Sequence, residues 1–183
     1  MKKLLIVLFG AFFLFACAPT EEECFRSDDL SAVELKSKRE KVEFTGVCSK
    51  DVDYVDLPGI EKLLPNGKML VKGSTTVWHD DASDWRVTGS TFWYVNQKIE
   101  EDGSFKYWGK AELIVDGENE GDPSRGSWDM TWHGYLTFTP MGPQLIAEAV
   151  GQGKSGDVKG MVGKWTYIMD FSQFVYNFEG YYK

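Results

Sequence analysis

Residues able to do chemistry are few in this chain. His79, Asp80, Asp81 and Asp84 cluster after a run of alternating residues. Three carboxylates and an imidazole suit a hard cation such as calcium, but their spacing fits no EF-type loop. An aspartate-rich loop is ordinarily just solvated, so no metal is assigned. His133 lies on a polar face beside Asp129 and Thr131, with Ser127 near in sequence. A general base needs a nucleophile within hydrogen-bond reach, and no G-x-S-x-G elbow marks Ser127. No catalytic residue is assigned. Gly151-x-Gly153-x-x-Gly156 fits the dinucleotide fingerprint formally, but that motif needs a helix after it. A β pattern follows, and a glycine hairpin is the reading. No cofactor is implied. The remaining candidates are apolar: Tyr107, Met130, Trp132, Trp165, Tyr167 and Phe178, expected on apolar strand faces. They could line a cavity for a lipid, isoprenoid or aromatic ligand, or pack as a solid aromatic core. Trp78 and Trp85 are expected exposed at strand ends, where they could form a docking platform for carbohydrate or protein.

The elements that would position these residues are strands. Period-two alternation begins at Val42, with Val42, Phe44, Gly46 and Cys48 on one face. Residues 50 to 67 read as irregular, with one helical turn at Ile60 to Leu64. In the next strand Met69, Val71, Gly73, Thr75 and Val77 share a face, and a loop is expected over 79–84. Strands follow over 85–97, 105–115 and 128–139, the first apolar on both sides. The last carries the sharpest pattern: Trp128, Met130, Trp132, Gly134, Leu136 and Phe138 on one face. A strand over 144–150, a glycine-rich link, and strands over 159–170 and 174–182 complete the set. In the final one Phe174, Tyr176, Phe178 and Tyr182 share a face. Upstream, Ser31 to Glu34 reads as a capping box flanked by Leu30 and Leu35, which predicts a short helix from about Ala32 to Glu40.

About eight strands joined by short turns predict an all-β fold. Closure would remove the exposed edges that invite aggregation. The expectation is a closed or nearly closed antiparallel barrel over residues 42–183, with a two-sheet sandwich as the alternative. Eight strands enclose an interior that side chains can just fill, or that holds one small ligand.

The N-terminus has a separate logic. Lys2 and Lys3 precede the apolar run Leu4 to Ala16, which is too short to span a bilayer as a helix and fits a secretory signal. Leu14-Phe15-Ala16-Cys17 resembles the lipobox of bacterial lipoproteins. That resemblance implies a signal peptide over residues 1–16, lipidation of Cys17, and a lipid-anchored tether and short helix over 17–41. It implies a cell-envelope protein held to a membrane by its lipid, and Ala18 after the cysteine leans toward the outer membrane. Cys24 and Cys48 would then remain as an even pair in an oxidising compartment, predicting a disulfide. It would close a loop of about 25 residues, worth about 3 kcal/mol in the chain-entropy model.

Loss of residues 1–16 would leave 167 residues, a one-domain length, and take the net charge from −8 to −10. Such a balance argues against nucleic acid and against docking on anionic head groups. Aromatics make up 15% of the chain, and such residues suit a pleated, half-buried surface.

Residues 67–183 carry Thr88-Gly89 in a strand, an Asp102-Gly103 turn, and the segment GQGKSGDVKGMVGKWTYIMDF with glycines at 151, 153, 156, 160 and 163. This pattern resembles the allene oxide cyclase and dirigent-like β-barrels, and it suits lipocalin- and avidin-like barrels almost as well. The resemblance implies architecture and transfers no catalytic residue. Three functions follow in order: an envelope lipoprotein whose barrel binds a small hydrophobic ligand; an interaction or structural lipoprotein with a filled barrel and an envelope protein partner; and a cyclase- or isomerase-like enzyme. The third needs a buried ionisable group inside the barrel, and the apolar faces as read contain none.

Overall fold

The alternation becomes nine strands. The structure, a computed structural model, describes residues 40–183. Its strands are β1 (Val42–Lys50), β2 (Ile60–Leu63), β3 (Met69–Ala82), β4 (Gly89–Ile99), β5 (Phe105–Val115), β6 (Gly126–Thr139), β7 (Gly142–Gly156), β8 (Val162–Asp170) and β9 (Val175–Tyr182). A single 3-10 turn, Trp85–Val87, sits between β3 and β4. They form one sheet, not two. From β3 to β9 each strand lies antiparallel to its neighbour in sequence. β1 pairs with β9 on one side and with the end of β3 on the other, so eight strands close in a ring. β2 pairs with the start of β3 and continues the line that β1 leaves, with the bridge Leu57–Thr75 between them.

Several expected boundaries move. Ile60 to Leu63 is strand rather than a helical turn. The expected loop over 79–84 is strand as far as Ala82. The glycine-rich link after 150 is largely the end of β7, and Trp85 starts the 3-10 turn rather than a strand. Phe174 lies in the β8–β9 turn at φ 61, two-thirds exposed, off the face it was expected to share. Phe138 is likewise exposed near the end of β6. The helix predicted over 32–40 falls, but for Glu40, outside the described residues.

One irregularity decides what faces inward. β3 and β4 slip register between Val71 and Ser74: Val71 opposes Gln97, yet Ser74 opposes Val95. Three steps on β3 thus match two on β4, a β-bulge. Gly73 supplies the positive φ (72) that the extra residue needs. Beyond it the faces exchange, so Ser74, Thr76, Trp78 and Asp80 point inward and Val77 outward. On the outer side Val77 lies opposite Phe92, against which Tyr54 packs edge-on.

The ring has two unlike ends. The chain enters at Val42 and leaves at Tyr182 beside the 3-10 turn and the loops over 116–125 and 157–161. This end is filled. Trp128, Met130, Trp165, Phe44, Phe178 and Tyr182 are all buried there, with Trp128 edge-on to Trp165 at 5.2 Å. Glycines make the room: a Cβ on Gly163 would lie 2.5 Å from Trp165, and one on Gly151 would lie 2.8 Å from Met130. The 3-10 turn caps the stack. Trp128 Nε1 donates to the Arg86 carbonyl at 2.7 Å, and Val87 is fully buried. Arg86 Nη1 donates to Tyr182 Oη, which donates in turn to Asp84 Oδ2. The other end carries the β2–β3, β4–β5, β6–β7 and β8–β9 turns. There Glu100 accepts from Lys68 and Lys98 and pairs with Lys106. These three lysines hold its carboxyl down at about 2.

Candidate functional site

At the turn end the aromatic filling stops and a cavity of about 480 Å³ begins. That volume is in the range of small-molecule sites. Its walls come from every strand of the ring: Trp78 from β3, Trp93 and Val95 from β4, Tyr107 from β5, Trp132 from β6, Ala147 from β7, Tyr167 from β8, Tyr176 from β9, and Cys48 from β1. Asp56, Leu57 and Pro58 form one lip, held to β3 by the Leu57–Thr75 bridge.

The walls are fixed before any ligand arrives. Trp93 meets Trp132 edge-on at 5.1 Å and Tyr167 at 5.3 Å, and Trp78 meets Tyr176 at 5.0 Å. Such pairs add about 0.5–1.5 kcal/mol each beyond their burial. Trp132 Nε1 donates to the Lys110 carbonyl, and Trp78 Nε1 to Thr76 Oγ1.

Of the six residues expected to bind ligand, Tyr107, Trp132 and Tyr167 line the cavity. Met130, Trp165 and Phe178 lie outside its lining. All three face inward, but they lie in the filled half, where the Trp165 ring occupies the space left by Gly151 and Gly163. Trp78 and Trp85 are not an exposed platform. Trp78 is a cavity wall, and Trp85 is half-buried with the Arg125 guanidinium 3.5 Å from its ring centre. The sequence reading missed Trp93, Val95, Tyr176 and the lip. β4 offered two apolar faces and no way to choose between them; its pairing with β5 chooses.

A buried ionisable group does lie inside the ring, contrary to expectation. Asp80 is fully buried directly beneath the cavity floor, opposite Cys48 on β1. Its Oδ2 accepts from Thr91 Oγ1 at 2.7 Å and from Tyr167 Oη at 3.3 Å. Burial pushes its carboxyl up to about 6, against the pull of Cys48, Thr91 and Tyr167. The Cys48 thiol offsets part of that cost, yet Oδ1 makes no hydrogen bond of ordinary geometry. Burial and the nearby carboxylate push the Cys48 thiol well up in turn, and Tyr167 likewise. Cys48 is therefore an inert thiol at neutral pH.

Cys48 is free and 1% exposed. Its side chain points into the ring against Asp80, and no disulfide occurs among the described residues. Cys24 and Cys17 lie outside the described residues.

The polar candidates disperse. Strand alternation puts Asp80 inside and His79 and Asp81 on the other side, while Asp84 caps the 3-10 turn. His79 pairs with Asp116 at 3.6 Å. No group of side chains that could hold a metal ion occurs among the described residues. His133 is exposed and pairs with Glu148 at 3.2 Å. Ser127 bonds Ser155 instead; six residues along one strand put it about 20 Å from His133. The glycines of 151–156 sit in strand β7, with no helix following.

No protein-family model, curated protein or solved structure matches this chain.

Proposed function

We propose that this chain is a cell-envelope lipoprotein whose closed sheet, read as a β-barrel, binds a small hydrophobic ligand. One observation carries the binding half: a preformed cavity of about 480 Å³ walled by Trp78, Trp93, Trp132, Tyr107, Tyr167 and Tyr176, in a ring whose other half is solidly packed. A core built only for stability would continue the filling to both ends, since an unfilled apolar void costs stability. The anchoring half rests on sequence: Lys2 and Lys3, the apolar run to Ala16, and Cys17 in its lipobox setting, with Ala18 favouring the outer membrane. The chain enters the ring at the filled end, so the cavity mouth lies at the end away from that entry.

Native mass spectrometry of the full chain purified from envelope, with parallel solvent extraction, tests the reading. A reproducible bound small molecule supports it; a consistently empty protein that takes up no added apolar compound refutes it.

A second reading, an interaction protein acting through its loops, draws on a different observation. Phe138, Met141, Phe171 and Phe174 are exposed in or beside the turns of the open end. A cyclase- or isomerase-like activity has its buried carboxyl in Asp80, but that group sits beneath the floor and not in the wall, which places binding first.

A further inference from the structure

The cavity is apolar but not uniformly so. Tyr107 and Tyr176 both line it. Neither phenolic hydroxyl has a hydrogen-bond partner among the described residues, and neither is sealed from solvent as an orphaned buried atom would be. Their neighbours differ in this respect: Tyr167 donates to Asp80, and Tyr182 to Asp84. Both enter the same cavity, Tyr107 from β5 and Tyr176 from β9. Burial raises both phenols, so both remain protonated donors at neutral pH. Two donors left open on the wall of an apolar site are the kind of polar group that orients a ligand.

The charge around the cavity narrows the acceptor. No cationic side chain among the described residues lines it. Lys50, beside the lip, is engaged by Asp56 at 2.6 Å and by the Val77 carbonyl. Carboxylates stand at the lip (Asp56) and beneath the floor (Asp80). An anion placed among them would be desolvated without a counter-charge, at high cost.

We infer that the ligand is an uncharged hydrophobic molecule bearing a carbonyl-type acceptor oxygen, held by the hydroxyls of Tyr107 and Tyr176. This rests on the cavity being a binding site, as proposed above.

The test titrates the full chain with methyl nonyl ketone, decanoic acid and decane, following the fluorescence of the cavity tryptophans, in wild type and in Y107F/Y176F. Removing two hydroxyls that bond nothing among the described residues should leave the melting temperature unchanged, so the variant's fold is checked independently; the single variants Y107F and Y176F serve if it is not. Two neutral hydrogen bonds predict that the ketone's affinity relative to decane falls by about tenfold or more in the double variant. The ionised acid should bind more weakly than the ketone. If all three bind and the ketone-to-decane ratio is the same in both proteins, the cavity is a binding site and this inference is wrong. Tightest binding of the acid also overturns it. If none of the three binds, the cavity reading falls and takes this inference with it.

Discussion

Replacing Asp80 by Asn tests whether a carboxyl really sits dry beneath the cavity. In the unfolded chain the group should titrate near its ordinary 3.8; in the fold it is pushed up to about 6. Between those values the folded state holds a proton that the unfolded state has released. Stability therefore falls as pH rises through this window. Below about pH 4 the penalty is absent, and above about pH 6 it is fully present. The gap corresponds to about 3 kcal/mol at about 1.36 kcal/mol per pH unit. Asn keeps the shape and can still accept from Thr91 and Tyr167, but it does not titrate. Its amide places a donor where Oδ1 has no partner, which costs about 1–3 kcal/mol at every pH. The assay is urea unfolding of both proteins from pH 4 to 7.5, taking the difference in ΔG at each pH so that shared groups cancel. D80N should gain on wild type by about 3 kcal/mol across the range, starting less stable and ending equal or more stable. A difference that stays constant with pH would refute the burial of a titrating carboxyl at this position.

Three further outcomes follow from the division of the ring into a filled and an open half. Ala147 faces the cavity and Ala149 the packed layer beside Trp165, so A147W should alter stability by no more than about 1 kcal/mol while A149W costs about 3 kcal/mol or more; denaturant melts compare them directly. Trp128→Phe removes the indole donor to the Arg86 carbonyl and part of the stack under the 3-10 turn, for an expected loss of about 2–4 kcal/mol. Cys48 should resist iodoacetamide at pH 8 in the native protein and react once unfolded, read by peptide mapping so that its modification is separated from that of Cys24; rapid native labelling would contradict its burial.

Much of the strand layout was legible because alternation with a hydrophobic face leaves little freedom. β5 occupies 105–115 as read, and the inward set Trp128, Met130, Trp132 and Gly134 on β6 is buried as expected. What escaped was set by one residue. Reading β3 as an unbroken alternation put Val71, Gly73, Thr75 and Val77 on a common face and left Asp80 in a solvated loop. The bulge at Gly73 reverses the faces beyond it, turning Trp78 into a cavity wall and Asp80 into a buried acid. A lone glycine inside a strand pattern is the local signal for such a bulge, and it was present in the sequence. The other misses were of packing rather than pattern. Nothing in the alternation distinguishes Trp132, at the cavity wall, from Trp165, one layer down over Gly151 and Gly163. That depends on how neighbouring strands register, which in turn decides where the filling stops.

The most direct measurement of the central claim is a titration with N-phenylnaphthylamine, a neutral apolar fluorophore, of wild type and A147W. The account predicts a saturable, one-to-one rise in emission for wild type that A147W, with an indole placed in the cavity, weakens by about tenfold or more. Absence of saturable binding, or identical binding by a folded A147W, would contradict the claim that the open half of the ring is a ligand site.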